Sequence, residues 1–190
     1  MELRDSGRAR RSGWLAAGGS ALIGLAIGLV LFQTPSAEQP ADATRAPVPA
    51  AIVGAPAPDF ELETVDGQRL RLSELRGRIV AVNFWATWCA PCRLEMPDLE
   101  ARARRYPDRL VVLGVNFDEP AEEVERFRDE LGLTFPLLLD PGGEVQRLYR
   151  VLGYPTTFFV DESGTIRFQH VGLMSGDQID GYLADLGLGG

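Results

Sequence analysis

The chain has 190 residues, 45% of them hydrophobic, with three Trp and nine Phe, enough for one sizeable domain and too few residues for two ordinary ones. Its formal charge is -8, and no Lys/Arg cluster interrupts the acidic bulk, which argues against an electrostatic nucleic-acid footprint. Two cysteines and a single distant His170 fall short of a four-ligand zinc site, and also of a disulfide-stapled miniprotein.

The basic residues that break the acidic trend come first. Residues 1–13 carry Arg4, Arg8, Arg10 and Arg11 against Glu2 and Asp5. Residues 14–32, WLAAGGSALIGLAIGLVLF, hold no charge. As a helix this stretch would span about 28 Å, close to the ~30 Å hydrocarbon core of a bilayer. Arginines ahead of it place the N-terminus in the cytoplasm by the positive-inside rule. The reading is a single-pass transmembrane signal anchor in the cell membrane, with the rest of the chain extracytoplasmic. A cleaved signal peptide is the alternative, although secretory cores are shorter and TPSAEQP supplies no A-x-A site. Residues 33–50 are rich in Pro and Ala and read as a linker, reaching at most about 60 Å. Residues 51–190 remain for the globular domain.

In that domain PDFELET (58–64) and QRLRLSE (68–74) flank Asp66-Gly67, a hairpin signal. RIVAVNFWA (78–86) is a continuous apolar run, as in a strand buried on both faces. A helix pattern follows to Tyr106, then a second buried strand over 109–118 and a helix over 120–132. A short strand at 135–140 and a helix at 142–153 lead to a strand-turn-strand over 155–172, turning at Ser163-Gly164. A helix over 175–187, opened by Ser175, ends the pattern. The order predicts an α/β architecture with a mixed sheet, parallel first and antiparallel at its last edge.

Both cysteines lie in NFWATWCAPCRLEMP (83–97), after a strand and at the opening of a helix. Arg93 follows Cys92, so the C-x-x-C-H needed for haem attachment is absent. The first turn of a helix has unpaired N–H groups and the positive end of the dipole, which stabilise a thiolate on Cys89. Cys92, one turn on and on the same face, can attack a mixed disulfide formed by Cys89. Pro91 suits the first turn, where its missing N–H costs little. Glu95 is within i,i+3 reach of Cys92, where a carboxylate would raise thiol pKa values and could take a proton; a solvated outer-face glutamate is the plainer alternative. Pro97 predicts a kink just beyond the site. This chemistry calls for no cofactor and no resident metal.

Three stretches carry a resemblance: GAPAPDFELETVDGQRLRLSELRG, NFWATWCAPCRLEMP and YPTTFFVDESGTIRFQHVG. Over about residues 52–187 the chain resembles the thioredoxin superfamily. More narrowly it is similar to the membrane-anchored ResA/TlpA/CcmG group of thiol-disulfide oxidoreductases, with a front region like that of redoxin (AhpC/TSA-like) domains. The resemblance implies a thioredoxin fold with an N-terminal β-hairpin extension and an extra βα insertion. It implies a redox-active disulfide in which Cys89 attacks and Cys92 resolves, with no cofactor. It places a cis-proline at Pro155, so that Trp88, Tyr154, Pro155 and Thr156 meet the substrate chain. Thioredoxin carries a buried aspartate where this chain has Asn83, and the acid is expected at Glu95 instead, as in the ResA-like group. Trp85 and Trp88 are expected to pack and to cover the sulfurs, and His170 to sit at a rim. The implied partners are disulfide-containing protein clients, such as apocytochrome c or an oxidase copper-site protein, and a membrane electron donor. Two rivals remain. A redoxin-type peroxidase would carry P-x-x-x-T-x-x-C, but Thr87 stands two residues before Cys89 and no Pro is in register. A tethered binding module would use the thiols as soft copper ligands.

Overall fold

The computed structural model describes residues 51–189; the basic N-terminus, the membrane span and the linker expected from the sequence lie outside the described residues. The most apolar runs form the middle of the sheet. Every residue of β3 (Ile79–Trp85) is buried, and β4 (Leu110–Phe117) is buried along all but its last position. The two pair in parallel, with Asn83 opposite Gly114 and Trp85 opposite Asn116. Because strand side chains alternate, Ile79, Ala81 and Trp85 enter one core while Val80, Val82 and Phe84 enter the other.

The remaining elements follow the predicted order. β1 (Glu61–Thr64) and β2 (Arg69–Arg71) form the hairpin, turning through Gly67 at a φ of 75° that glycine adopts without strain. Helix α1 (Ala90–Arg105) links β3 to β4, and α2 (Ala121–Leu131) links β4 to β5 (Leu137–Asp140). Helix α3 (Glu144–Tyr149) precedes β6 (Thr156–Val160), β7 (Ile166–Val171) and α4 (Gly176–Leu183). The seven strands lie in the order β2-β1-β5-β4-β3-β6-β7. The parallel part is β5-β4-β3, and antiparallel pairs finish both sides, because the hairpin joins β5 through β1. The sequence reading placed an antiparallel edge only at the end of the chain; which strand the first hairpin joins is a long-range pairing that local periodicity does not encode.

Residues of α1, α2 and α4 fill one core with Met96, Leu99, Val124, Phe127, Ile179 and Leu183, while Val145 and Tyr149 of α3 fill the other. Pro97 lies inside α1, and the helix continues through it to Arg105. One local expectation changes. Helix α3 stops four residues short of the predicted Gly153, because Arg150 turns into the left-handed region at a φ of 53°. Its N–H still bonds to the carbonyls of Arg147 and Gln146, a helix-ending geometry that carries the chain into the loop before Pro155. Among the described residues no helix is long and apolar enough to cross a membrane.

Candidate active site

β3 ends at Trp85, and the turn that follows delivers Cys89 as the N-cap of α1. Cys89 Sγ accepts the N–H of Cys92 at 3.2 Å, and Pro91 occupies the first turn, where no intrahelical donor is needed. The two sulfurs form a disulfide, with Cys89 5% and Cys92 1% exposed. Helix geometry therefore gives the two thiols different settings. Both are buried, but Cys89 caps the positive end of the helix and keeps a little more exposure than Cys92, one turn inside it.

Glu95 is fully buried. Its Oε1 accepts from Asn83 Nδ2 at 2.9 Å and from Thr157 Oγ1 at 3.5 Å. Its Oε2 accepts the backbone N–H of Met174 at 2.6 Å. Burial pushes its carboxyl up to about 7; the three hydrogen bonds oppose the rise, and Asp98, one turn along α1, adds to it. The solvated-face alternative is thereby set aside. Asn83, on β3, also donates to Thr157 Oγ1 at 2.8 Å, its register partner on β6.

The Tyr154–Pro155 peptide is cis. Pro155 is tied to the loop after β7, since Gly172 N–H donates to its carbonyl at 2.8 Å. That same loop supplies Met174 to Glu95, so the proline and the acid share one support. Tyr154 donates its hydroxyl to Gln146 Oε1, and burial pushes the phenol up to about 12. Its ring stands edge-on to Trp88 at 5.6 Å. Trp88 is 66% exposed and Leu152, two residues ahead of Tyr154, is 99% exposed; together with Val171 and Leu173 they leave apolar surface on the segments flanking the motif and the proline.

Not every expected residue serves alike. Thr156 is buried, and its hydroxyl turns inward to the carbonyl of Gly153 at 2.8 Å. Its side chain holds the loop. Trp85 is fully buried, 4.5 Å from Phe127 between ring centroids, and packs in the core that also holds Cys89 and Cys92. His170 lies on the edge strand β7 with Nδ1 3.1 Å from Tyr182 Oη, a structural position.

Sequence reasoning missed four residues. Thr157, Met174 and Gln146 hold Glu95 and Tyr154, as described. Glu119, just after β4, accepts from Thr87 N–H at 2.7 Å, from the Thr87 hydroxyl, and from Asn116 Nδ2 at 2.6 Å. It clamps the turn two residues before Cys89. Asn116 next to an acidic loop was visible in the chain, but its nearness to Thr87 arises only from the β3–β4 register. Among the described residues no group of three or more His, Cys, Asp or Glu could hold a metal.

The sequence profile of the AhpC/TSA family matches residues 53–169, more than half of the chain. The chain belongs to the AhpC/TSA family. Within that family it is similar to thioredoxin-like protein YneN of Bacillus subtilis (strain 168), 43% identical over 130 residues, covering 67% of this chain and 76% of that one. It is also similar to thiol-disulfide oxidoreductase ResA of Oceanobacillus iheyensis, 41% identical over 139 residues, covering 70% and 72% of the two chains. A putative thiol:disulfide interchange protein DsbE from Chlorobium tepidum superposes with a TM-score of 0.66 at 33% identity, covering 72% of this chain and 97% of that one. This AhpC/TSA member thus has a thioredoxin-like fold and is a thiol-disulfide oxidoreductase of the ResA and DsbE type.

Proposed function

We propose that this oxidoreductase acts mainly as a reductase of protein disulfides, using Cys89 and Cys92 as its dithiol. The observation that carries the reading is Glu95, a buried carboxyl one helical turn after Cys92 and titrating near neutral pH. In the reduced protein the Cys89 thiolate attacks one sulfur of a client disulfide. The client S–S bond breaks, a mixed disulfide forms, and one client thiolate leaves. Glu95 takes the proton of Cys92, whose thiolate attacks Cys89 Sγ and expels the second client thiolate. Two electrons pass to the client, and the Cys89–Cys92 disulfide is the product. A donor that returns two electrons must then reopen it.

The exposed Trp88, the cis-Pro155 and Tyr154 beside it form the surface against which a client backbone would lie. Thr156 supports that surface from behind. The clients are disulfide-containing proteins, with an apocytochrome c or a copper-site protein of an oxidase as the classes the resemblance suggests. Residues 14–32 would anchor the enzyme with its N-terminus in the cytoplasm, and residues 33–50 would let the outer domain reach both clients and a membrane electron donor. Engagement of Thr87 by Glu119 supports the reductase over the peroxidase reading, because it commits that hydroxyl to the loop.

The test is capture with Cys92→Ala, which retains the attacking thiol and removes the resolving one. It is expected to accumulate a mixed disulfide with a protein client. Capture of small thiols alone would overturn the reading.

A further inference from the structure

Leu152 is the most exposed large hydrophobic among the described residues, and the loop that carries it is held on both sides. Before it, Arg150 N–H bonds to the Arg147 carbonyl at 3.1 Å and Val151 N–H to the Gln146 carbonyl at 3.0 Å, which ties the chain to the end of α3. After it, the Gly153 carbonyl accepts from Thr156 Oγ1 at 2.8 Å, and the Tyr154 hydroxyl reaches Gln146. Val151 and Tyr154 pack against the core that holds Tyr149 and Phe158, whereas Leu152 between them points out. A Cβ on Gly153 would meet nothing within 4 Å, so no described part of the fold overhangs the spot.

A lone exposed leucine is ordinary on a protein surface. This one is fixed by its neighbours and continues the active-site surface, since Tyr154, two residues on, meets the ring of Trp88 at 5.6 Å. A side chain free on every flank is desolvated fully only by a partner that surrounds it. An extended client backbone lying on Trp88, Tyr154 and Pro155 would cover one flank. A folded partner with an apolar socket covers all of them, the arrangement in which a single anchor contributes most to an interface. The rigid loop also lowers the ordering cost of docking. Beside the leucine, Arg150 is exposed and makes no ion pair among the described residues, which leaves its guanidinium for an acid on the partner.

We propose that Leu152 is the docking knob for the electron donor, a folded dithiol protein with an apolar socket edged by a carboxylate beside its thiols. The proposal rests on the reductase reading above, which requires a donor. In the docked pair a donor thiolate attacks Cys89 Sγ and the Cys89–Cys92 bond breaks. Cys92 leaves as a thiolate and takes the proton held by Glu95. The second donor thiolate then attacks the donor sulfur of the mixed disulfide and expels the Cys89 thiolate. The donor ends as a disulfide, and two electrons have passed to the enzyme. Leu152 touches none of the reacting atoms. It lets one active site tell its donor from its clients, because clients lie on Trp88, Tyr154 and Pro155 and the donor also encloses the knob.

The experiment follows the full-length chain in its own cells. After a diamide pulse oxidises Cys89 and Cys92, acid quenching and alkylation with maleimide-polyethylene glycol report how fast the dithiol returns. Leu152→Ser is expected to recover about tenfold more slowly than the unaltered chain, the low end of what burying one leucine adds to affinity. The same variant, purified in detergent, is expected to reduce insulin disulfides with dithiothreitol at the unaltered rate. Recovery at the unaltered rate would overturn the docking role and leave the reductase reading standing. Equal slowing toward insulin would reassign Leu152 to the client surface and also overturn it. Arg150→Glu is expected to slow recovery as well, and an unchanged rate there would remove the carboxylate from the socket. An unaltered chain that never returns to the dithiol in cells would overturn the reductase reading itself, and the docking role with it.

Discussion

Asn83 Nδ2 stands 2.9 Å from Glu95 Oε1, a bond between the strand that enters the active site and the helix that leaves it. An amide and an acid thus meet at the position where two acids would repel. This relationship makes the pair sensitive to a single atom change.

Replacing Asn83 by aspartate would set a second carboxyl against Glu95. Two carboxyls at this separation share one proton, and the macroscopic pKa values of the pair are driven apart. Asn83→Asp is expected to raise the upper value above the native one near 7. Differential titration of the variant against the unaltered protein checks this, and a pair titrating below 7 would sink it.

Glu95 also links pH to stability. Its folded value, about 7, lies above its unfolded value of 4.5, so the native state binds the proton more tightly. The stabilisation is full below pH 4.5 and is lost as pH rises through about 7. A shift of this size corresponds to at most about 3 kcal/mol. Glu95→Gln removes the titration and should flatten stability between pH 5 and 8 in urea denaturation of the oxidised protein. The same variant should reduce client disulfides more slowly, by about 10²-fold near pH 7, as expected when a proton acceptor is removed.

Glu119 is the second acid with a positional role. Glu119→Ala leaves the Thr87 N–H, the Thr87 hydroxyl and Asn116 Nδ2 without their acceptor. Losing the partner of part-buried donors costs about 1–3 kcal/mol. Denaturant midpoints should fall accordingly, and Glu119→Gln should restore part of the loss through its remaining carbonyl oxygen. Equal midpoints for the alanine variant and the unaltered protein would show that the clamp carries no weight.

How far the chain could be read without coordinates follows from which signals are local. β3, β4 and the helix opened by Cys89 are local: continuous apolar runs, a C-x-x-C and Pro91 announce them. Glu95 was legible by spacing from Cys92, and Pro155 through resemblance. Thr157 and Met174 were not, because they reach Glu95 from 62 and 79 residues away, through strand pairing and the loop after β7. The setting of the Thr156 side chain was equally illegible. Its neighbour Pro155 faces the site, and strand alternation with the Gly153 carbonyl as acceptor turns the threonine hydroxyl inward.

The proposed anchor gives the last prediction, because tethering and catalysis should separate. Residues 51–189 contain the disulfide, Glu95, the cis-Pro155 and every hydrogen bond that holds them, so chemistry with a soluble dithiol should not need residues 1–50. Re-reduction by a membrane donor should need them, since a tether raises the local concentration of the domain at the bilayer. Full-length protein is expected in the membrane fraction and resistant to alkaline carbonate, whereas a form beginning at residue 51 is soluble. Both should reduce a model disulfide at equal rates with dithiothreitol, and only the full chain should be kept reduced in cells. A soluble full-length protein of unchanged mass would refute the anchor, and one shortened by about thirty residues would reassign the segment as a cleaved signal peptide.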